Sequence, residues 1–284
     1  MIRTRWTVLG CVVTLFGLVG VSPAQDTSMP RAPGGVEPAP ESEWIPPEEI
    51  PSSEAVLARF VEVSGGKAAI AAHKNRRLVG TIRNDESGFR ARITLLQQRP
   101  DLIHMKLFIP GAGTQLIVYD GEIAWEQRPD GAHTLLDGGR LRDIRTNSHF
   151  AAELEWETFL TEHETVGYTE VDGMKCVQVR ATAFTGREMF LLFSLDNGML
   201  VGRQTYQSIG SGGDVLQLMV IARYEVVDGV ALPKTVIQRT VQGDTIIDYS
   251  SYQVNIQEFP SLERPAEVNT LLEARNSFGN DDDG

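Results

Sequence analysis

Five histidines and one cysteine of the expected mature chain are the side chains here best suited to acid–base, metal or nucleophilic chemistry, and their spacing supports none of it. His73, His104, His133, His149 and His163 are scattered without the short intervals that bring two imidazoles onto one metal. Cys176 lies in the strand-like stretch Met174 to Thr182 beside Val177 and Val179, with no histidine nearby in sequence, so it reads as a small packed hydrophobe. His149 and Glu153, and Glu153 and Glu157, are one helical turn apart and could share a face; two carboxylates on an exposed flank keep ordinary acidity. Gly210-Ser211-Gly212-Gly213 falls between two long strands and reads as a hairpin loop. His-Glu-x-x-His, Gly-x-Ser-x-Gly, a phosphate-cradling glycine loop and paired cysteines are all missing from the sequence. The expectation is a protein without catalytic residues, metal or cofactor, acting by binding.

Composition narrows what could be bound. Of 284 residues 42% are hydrophobic, with four Trp, eleven Phe and six Tyr, enough to build a sizeable core or line a pocket. The formal net charge of −12 argues against nucleic acid, whose affinity rests on Lys and Arg displacing counterions, and an anionic membrane surface would repel the chain. Three of the 26 basic and nine of the 38 acidic residues fall outside 52–279, leaving 23 against 29 within it. The expected folded part is therefore only mildly acidic.

Residues 1–24 read as a secretory signal peptide. Met1 to Arg5 carries two arginines, Trp6 to Val21 is uncharged and mostly apolar, and Ser22-Pro23-Ala24 offers small residues for a cut after Ala24. The apolar run is shorter than the roughly 20 residues of a spanning helix. A lipid anchor at Cys11 is discounted, because most of the run follows that residue. The mature chain is expected in the periplasm or secreted, and not integral to a membrane. Residues 25–51 hold seven of the fourteen prolines among glutamates and read as an extended acidic linker. Residues 280–284 form an acidic tail, leaving 52–279 to fold.

The elements of that part follow from period and punctuation. Ser52 or Ser53 caps a helix with Val56, Leu57, Phe60 and Val61 at helical spacing, stopped by Gly65-Gly66, with a short continuation to about His73. From Arg77 the period becomes two: Leu78/Gly80/Ile82, Phe89/Ala91/Ile93/Leu95, Ile103/Met105/Leu107/Ile109. Asp120-Gly121, Asp130-Gly131, Asp172-Gly173, Asn197-Gly198 and Asp228-Gly229 supply the positive φ of tight hairpins and order the strands as an antiparallel meander. Gly138 to about Glu162 loses the period of two and suits one or two amphipathic helices, and a last helix spans Pro265 to about Arg275. About eleven strands result, too many for a small flat sheet. Arg187 to Leu195 is apolar on both faces, which fits either a curved sheet with helices on its concave side or a filled barrel with external helices.

Four segments carry a resemblance: Val56-Leu57-Ala58-Arg59-Phe60 through Ser64-Gly65-Gly66-Lys67 to Gly80-Thr81-Ile82; Tyr119-Asp120-Gly121-Glu122-Ile123-Ala124-Trp125; Leu195-Asp196-Asn197-Gly198-Met199-Leu200; and Tyr224-Glu225-Val226-Val227-Asp228-Gly229-Val230-Ala231-Leu232-Pro233. In order and spacing the chain, over roughly Glu54 to Pro260, resembles the outer-membrane lipoprotein-sorting proteins of the LolA/LolB-like superfamily. The resemblance implies an unclosed β-barrel wrapped around helices, mainly β (α+β), with a hydrophobic cavity for lipid or lipoprotein acyl chains. The buried arginine that latches the lid of the best-known carriers finds no match, although Arg90 and Arg92 lie on a strand.

Candidates to line such a cavity are Met105, Leu107, Leu116, Val118 and Trp125 from the first half of the sheet, Met189, Leu191, Phe193, Met219 and Ile221 from the second, and Phe150, Leu154, Trp156 and Phe159 from the helical segment. A volume of about 300 to 1,000 Å³ is expected of it. Two other functions stay open: a scaffold or interaction module docking an envelope protein, and a hydrolase of envelope material.

Overall fold

The computed structural model describes residues 48–208, 214–240 and 243–278. The signal peptide and its cut, Cys11, the linker up to residue 47, the loop 210–213 and the tail 280–284 lie outside these.

Ser52 caps the first helix, α1 (Ser53–Val63), its hydroxyl accepting the Ala55 N–H at 3.2 Å, and the apolar stripe Val56, Leu57, Phe60 and Val61 is buried. A second helix, α2 (Gly66–Ala72), follows at once. Gly65 between them has φ +119°, and a Cβ there would stand 2.0 Å from the Gly229 carbonyl oxygen, so only glycine lets this corner press on the Asp228-Gly229 hairpin.

Thirteen strands form one antiparallel sheet among the described residues: β1 (Asn75–Asn84), β2 (Phe89–Gln98), β3 (Leu102–Ile109), β4 (Gly113–Tyr119), β5 (Ala124–Gln127), β6 (His133–Leu136), β7 (Leu160–Val171), β8 (Met174–Ala183), β9 (Glu188–Ser194), β10 (Leu200–Ser208), β11 (Asp214–Val227), β12 (Val230–Thr240) and β13 (Gly243–Val254). The spatial order is β6-β5-β4-β3-β2-β1-β13-β12-β11-β10-β9-β8-β7. All five Asp-Gly and Asn-Gly turns join neighbouring strands. The count exceeds the expected eleven: β5 and β6 have only four residues each, and β7 begins at Leu160, inside the stretch expected to be helical.

β1 pairs with β13, zipping the two halves of the chain together at mid-sheet, while β6 and β7, consecutive in sequence, are the two unpaired edges. The curved sheet is thus an unclosed barrel. Its chain crosses from edge to edge through α3 (Gly138–Ser148), a 3-10 turn (Ala152–Glu155) and α4 (Trp156–Phe159). These helices share the concave face with α1 and α2; α5 (Ala266–Phe278) lies on the other side, over β4 to β6.

The residues of period two in the first strands all point inward: Leu78, Ile82, Ala91, Ile93, Leu95, Ile103, Met105, Leu107 and Ile109 are buried in one cluster with Ile117, Tyr119 and Ile144. A second concave cluster joins α1 and α4 to Val177, Val179, Met189, Leu191, Phe193 and Ile221, and Met219 packs against both. On the convex face, Cys176, Leu192, Val201 and Val220 form a separate buried cluster. That explains why β9 is apolar on both sides.

Candidate functional site

The helix that covers the concave face is poor in apolar residues. Along Gly-Gly-Arg-Leu-Arg-Asp-Ile-Arg-Thr-Asn-Ser, α3 sends Ile144 and Leu141 into the core but also buries Asp143, Thr146 and Ser148. What ties it down is polar. Arg187, before β9, forms an ion pair with Asp143, their side chains 12% and 11% exposed. Arg203 of β10 donates to Asn147 Oδ1 at 2.9 Å and to Glu153 Oε1 at 3.2 Å. The hydroxyls of Thr146 and Thr185 are 2.6 Å apart.

A second set of ties holds the segment after α3. The guanidiniums of Arg76 and Arg99 both lie over the Phe150 ring, 4.6 and 4.9 Å from its centroid, and Arg76 Nη2 donates to the Phe150 carbonyl at 2.8 Å. Burial brings the Arg76 guanidinium down to about 10. Arg99 reaches Glu155 at 2.7 Å and the carbonyls of Ile70 and His73. His149, against the rings of Phe159 and Phe184, accepts the Ala152 N–H on Nδ1 at 2.9 Å. Burial holds it below the usual imidazole value, opposed by Glu155, Glu153 and Asp101.

Between α3 and strands β9 to β13 lies a cavity of about 180 Å³. Its floor is Met189, Met219, Val236, Ile247 and Tyr249; Asp143, Arg187, Arg203, Thr205, Gln217 and Gln238 make the wall polar. Burial lifts the Tyr249 phenol to about 12. Gln238 is 8% exposed, and its Oε1 has no hydrogen-bond partner among the described residues. The volume is below the expected range, and of the fourteen expected lining residues only Met189 and Met219 border it.

The structure brings eleven of those fourteen to the concave side. Met105 and Leu107 lie in the first cluster; Leu154, Trp156, Phe159, Met189, Leu191, Phe193 and Ile221 in the second; Met219 between the two; and Phe150 in a third with Val61, Ile70 and Leu232. Leu116, Val118 and Trp125 are elsewhere, and their assignment is corrected. They pack on the convex face with Ile123, Leu135, Val268 and Leu272 beneath α5. Met105 pairs with Ile117 and Leu107 with Gln115, so the inward set of β4 is Gln115, Ile117 and Tyr119, one residue out of step with the expectation.

Other expectations also meet the structure here. His149, Glu153 and Glu157 share no helix face, because α3 ends at Ser148; Glu153 serves Arg203, and Glu157 pairs with Lys67. Cys176 is buried, and desolvation lifts its thiol to about 11. Arg90 pairs with exposed Asp85 at 2.6 Å and Arg92 lies over Phe108 at 4.6 Å, so neither reaches the cover. Arg76, Arg99, Arg187 and Arg203 do, and no local spacing announced them. Ser53 Oγ and His163 Nδ1 are 2.9 Å apart, and Ser53 Oγ also donates to the His163 carbonyl, fastening α1 to β7. Among the described residues, no three His, Cys, Asp or Glu side chains converge on a metal site. No helix among them is long and apolar enough to cross a membrane.

Fold and site together define an open antiparallel half-barrel with a helical cover latched by arginines. The chain is similar to a DUF1329 family protein from Desulfovibrio piger (14% identity, TM-score 0.49, 72% of this chain and 94% of that one) and to a LolA superfamily protein from Nitrosomonas europaea (12%, 0.49, 74% and 95%). It is also similar to an outer-membrane lipoprotein-sorting protein domain from Vibrio parahaemolyticus (10%, 0.45, 76% and 99%). No family model matches the chain, and no curated protein does.

Proposed function

We propose that this is an exported, non-enzymatic carrier that holds an acyl chain, free or attached to a lipoprotein, between the concave face of the sheet and the segment 138–159. One observation carries the reading: α3, the part of the cover over β9 to β13, sends only Leu141 and Ile144 into the core and is fastened there by polar ties, Arg187 to Asp143 and Arg203 to Asn147, with Arg203 also reaching Glu153 beyond it. Hydrophobic packing alone would make such a cover hard to lift. Polar ties exchange with water or with a ligand. An acyl chain needs that shelter, since each methylene left in water costs about 0.8 kcal/mol. The 180 Å³ cavity is the closed resting state, and loading requires α3 to move away from β9 to β13. Unpaired edges at β6 and β7 leave the cover room to swing. A leader ending at Ala24 would place the carrier in the periplasm.

Native mass spectrometry of the exported protein, purified without detergent, tests this. Copurifying lipid is expected. An empty protein bound stoichiometrically to an envelope protein would support the interaction module instead.

A further inference from the structure

We infer that the ligand is an amphiphile with an anionic head, a carboxylate or a phosphate, and that Arg203 on β10 receives that head when the cover lifts. The inference rests on the carrier reading above and names its substrate class.

Arg203 points from mid-strand onto the concave face, where its pairing neighbours are Leu191 and Met219. Its side-chain partners among the described residues, Asn147 and Glu153, both belong to the covering segment. The side chain is only 16% exposed. Lifting the cover therefore strips the guanidinium of its partners while leaving it in an apolar groove, an arrangement that is costly unless another anion takes their place. A neutral ester cannot do so. A carboxylate or phosphate can, with charge-assisted hydrogen bonds, while its chain runs over Met189, Met219 and Val236. The same exchange carries a mechanism: the ligand head competes with Glu153 for Arg203, so binding and unlatching are one event.

The test compares oleate with methyl oleate, and oleyl phosphate with both, by displacement of a bound fluorescent fatty acid from the exported protein. Oleate or oleyl phosphate should bind about tenfold more tightly than methyl oleate, and which of the two is preferred tells a fatty acid from a phosphate-headed lipid. Acetate should displace nothing. Arg203→Gln should bind oleate and methyl oleate equally, and Glu153→Gln, which removes the competing carboxylate, should bind oleate more tightly. Should Arg203→Gln fail to fold, the Glu153→Gln result decides alone. Equal binding of charged and neutral chains by the unaltered protein would overturn the inference and leave the carrier standing; no binding of either would overturn both.

Discussion

Asp143 on α3 and Arg187, just before β9, form an ion pair that bridges the cover and the sheet, with both side chains nearly nine-tenths buried. Removing one partner from such a pair is far costlier than replacing both. Asp143→Ala should lower stability by about 3–5 kcal/mol, whereas Asp143→Leu combined with Arg187→Met should restore most of it. Thermal denaturation of the three proteins checks this, and equal stability of the single and double variants would contradict it.

Trp125 is fully buried yet serves α5 and not the groove. Trp125→Ala should cost about 3–5 kcal/mol and raise hydrogen exchange across 266–278, with acyl binding unchanged at temperatures where the fold persists. Loss of binding without loosening of α5 would return Trp125 to the groove.

Acid should begin to loosen the fold at its buried histidines. Burial holds His73, His104 and His149 below the ordinary 6.5. Between folded and unfolded values the unfolded chain binds more protons, so the stability these groups lend is complete above pH 6.5 and falls as the pH drops below it. The melting temperature is expected to decline from pH 7 to pH 5, less steeply in His149→Gln. A flat profile over that window would refute the assignment.

Cys176 should resist alkylation in the native state, being buried with its thiol lifted to about 11. Mass spectrometry after iodoacetamide should show modification only in denaturant; rapid native labelling would mean that the convex cluster opens.

Much of this architecture is written locally in the chain. Ser52 and Gly65 bracket α1, and each Asp-Gly or Asn-Gly pair needs only its own backbone to make a hairpin, so the meander can be read off residue by residue. The inward faces of β1 to β3 follow from strict alternation. Alternation failed at β4 and β5 because α5, nearly 150 residues later, buries the outer face there; Leu116 and Ile117 are then equally apolar, and nothing local says which looks inward. The latch was invisible for a related reason. Arg203 meets Glu153 across 50 residues and Arg187 meets Asp143 across 44, and arginines that find carboxylates only through the fold leave no periodic trace.

Locking the cover tests the account most directly. The Thr146 and Thr185 hydroxyls are 2.6 Å apart, which puts a disulfide within reach in Thr146→Cys with Thr185→Cys. Uptake of a fluorescent fatty acid should be at least about tenfold slower in the oxidised double variant and return to the unaltered rate on reduction. Equal uptake in both redox states, with the disulfide verified by mass, would mean that no ligand enters beneath α3.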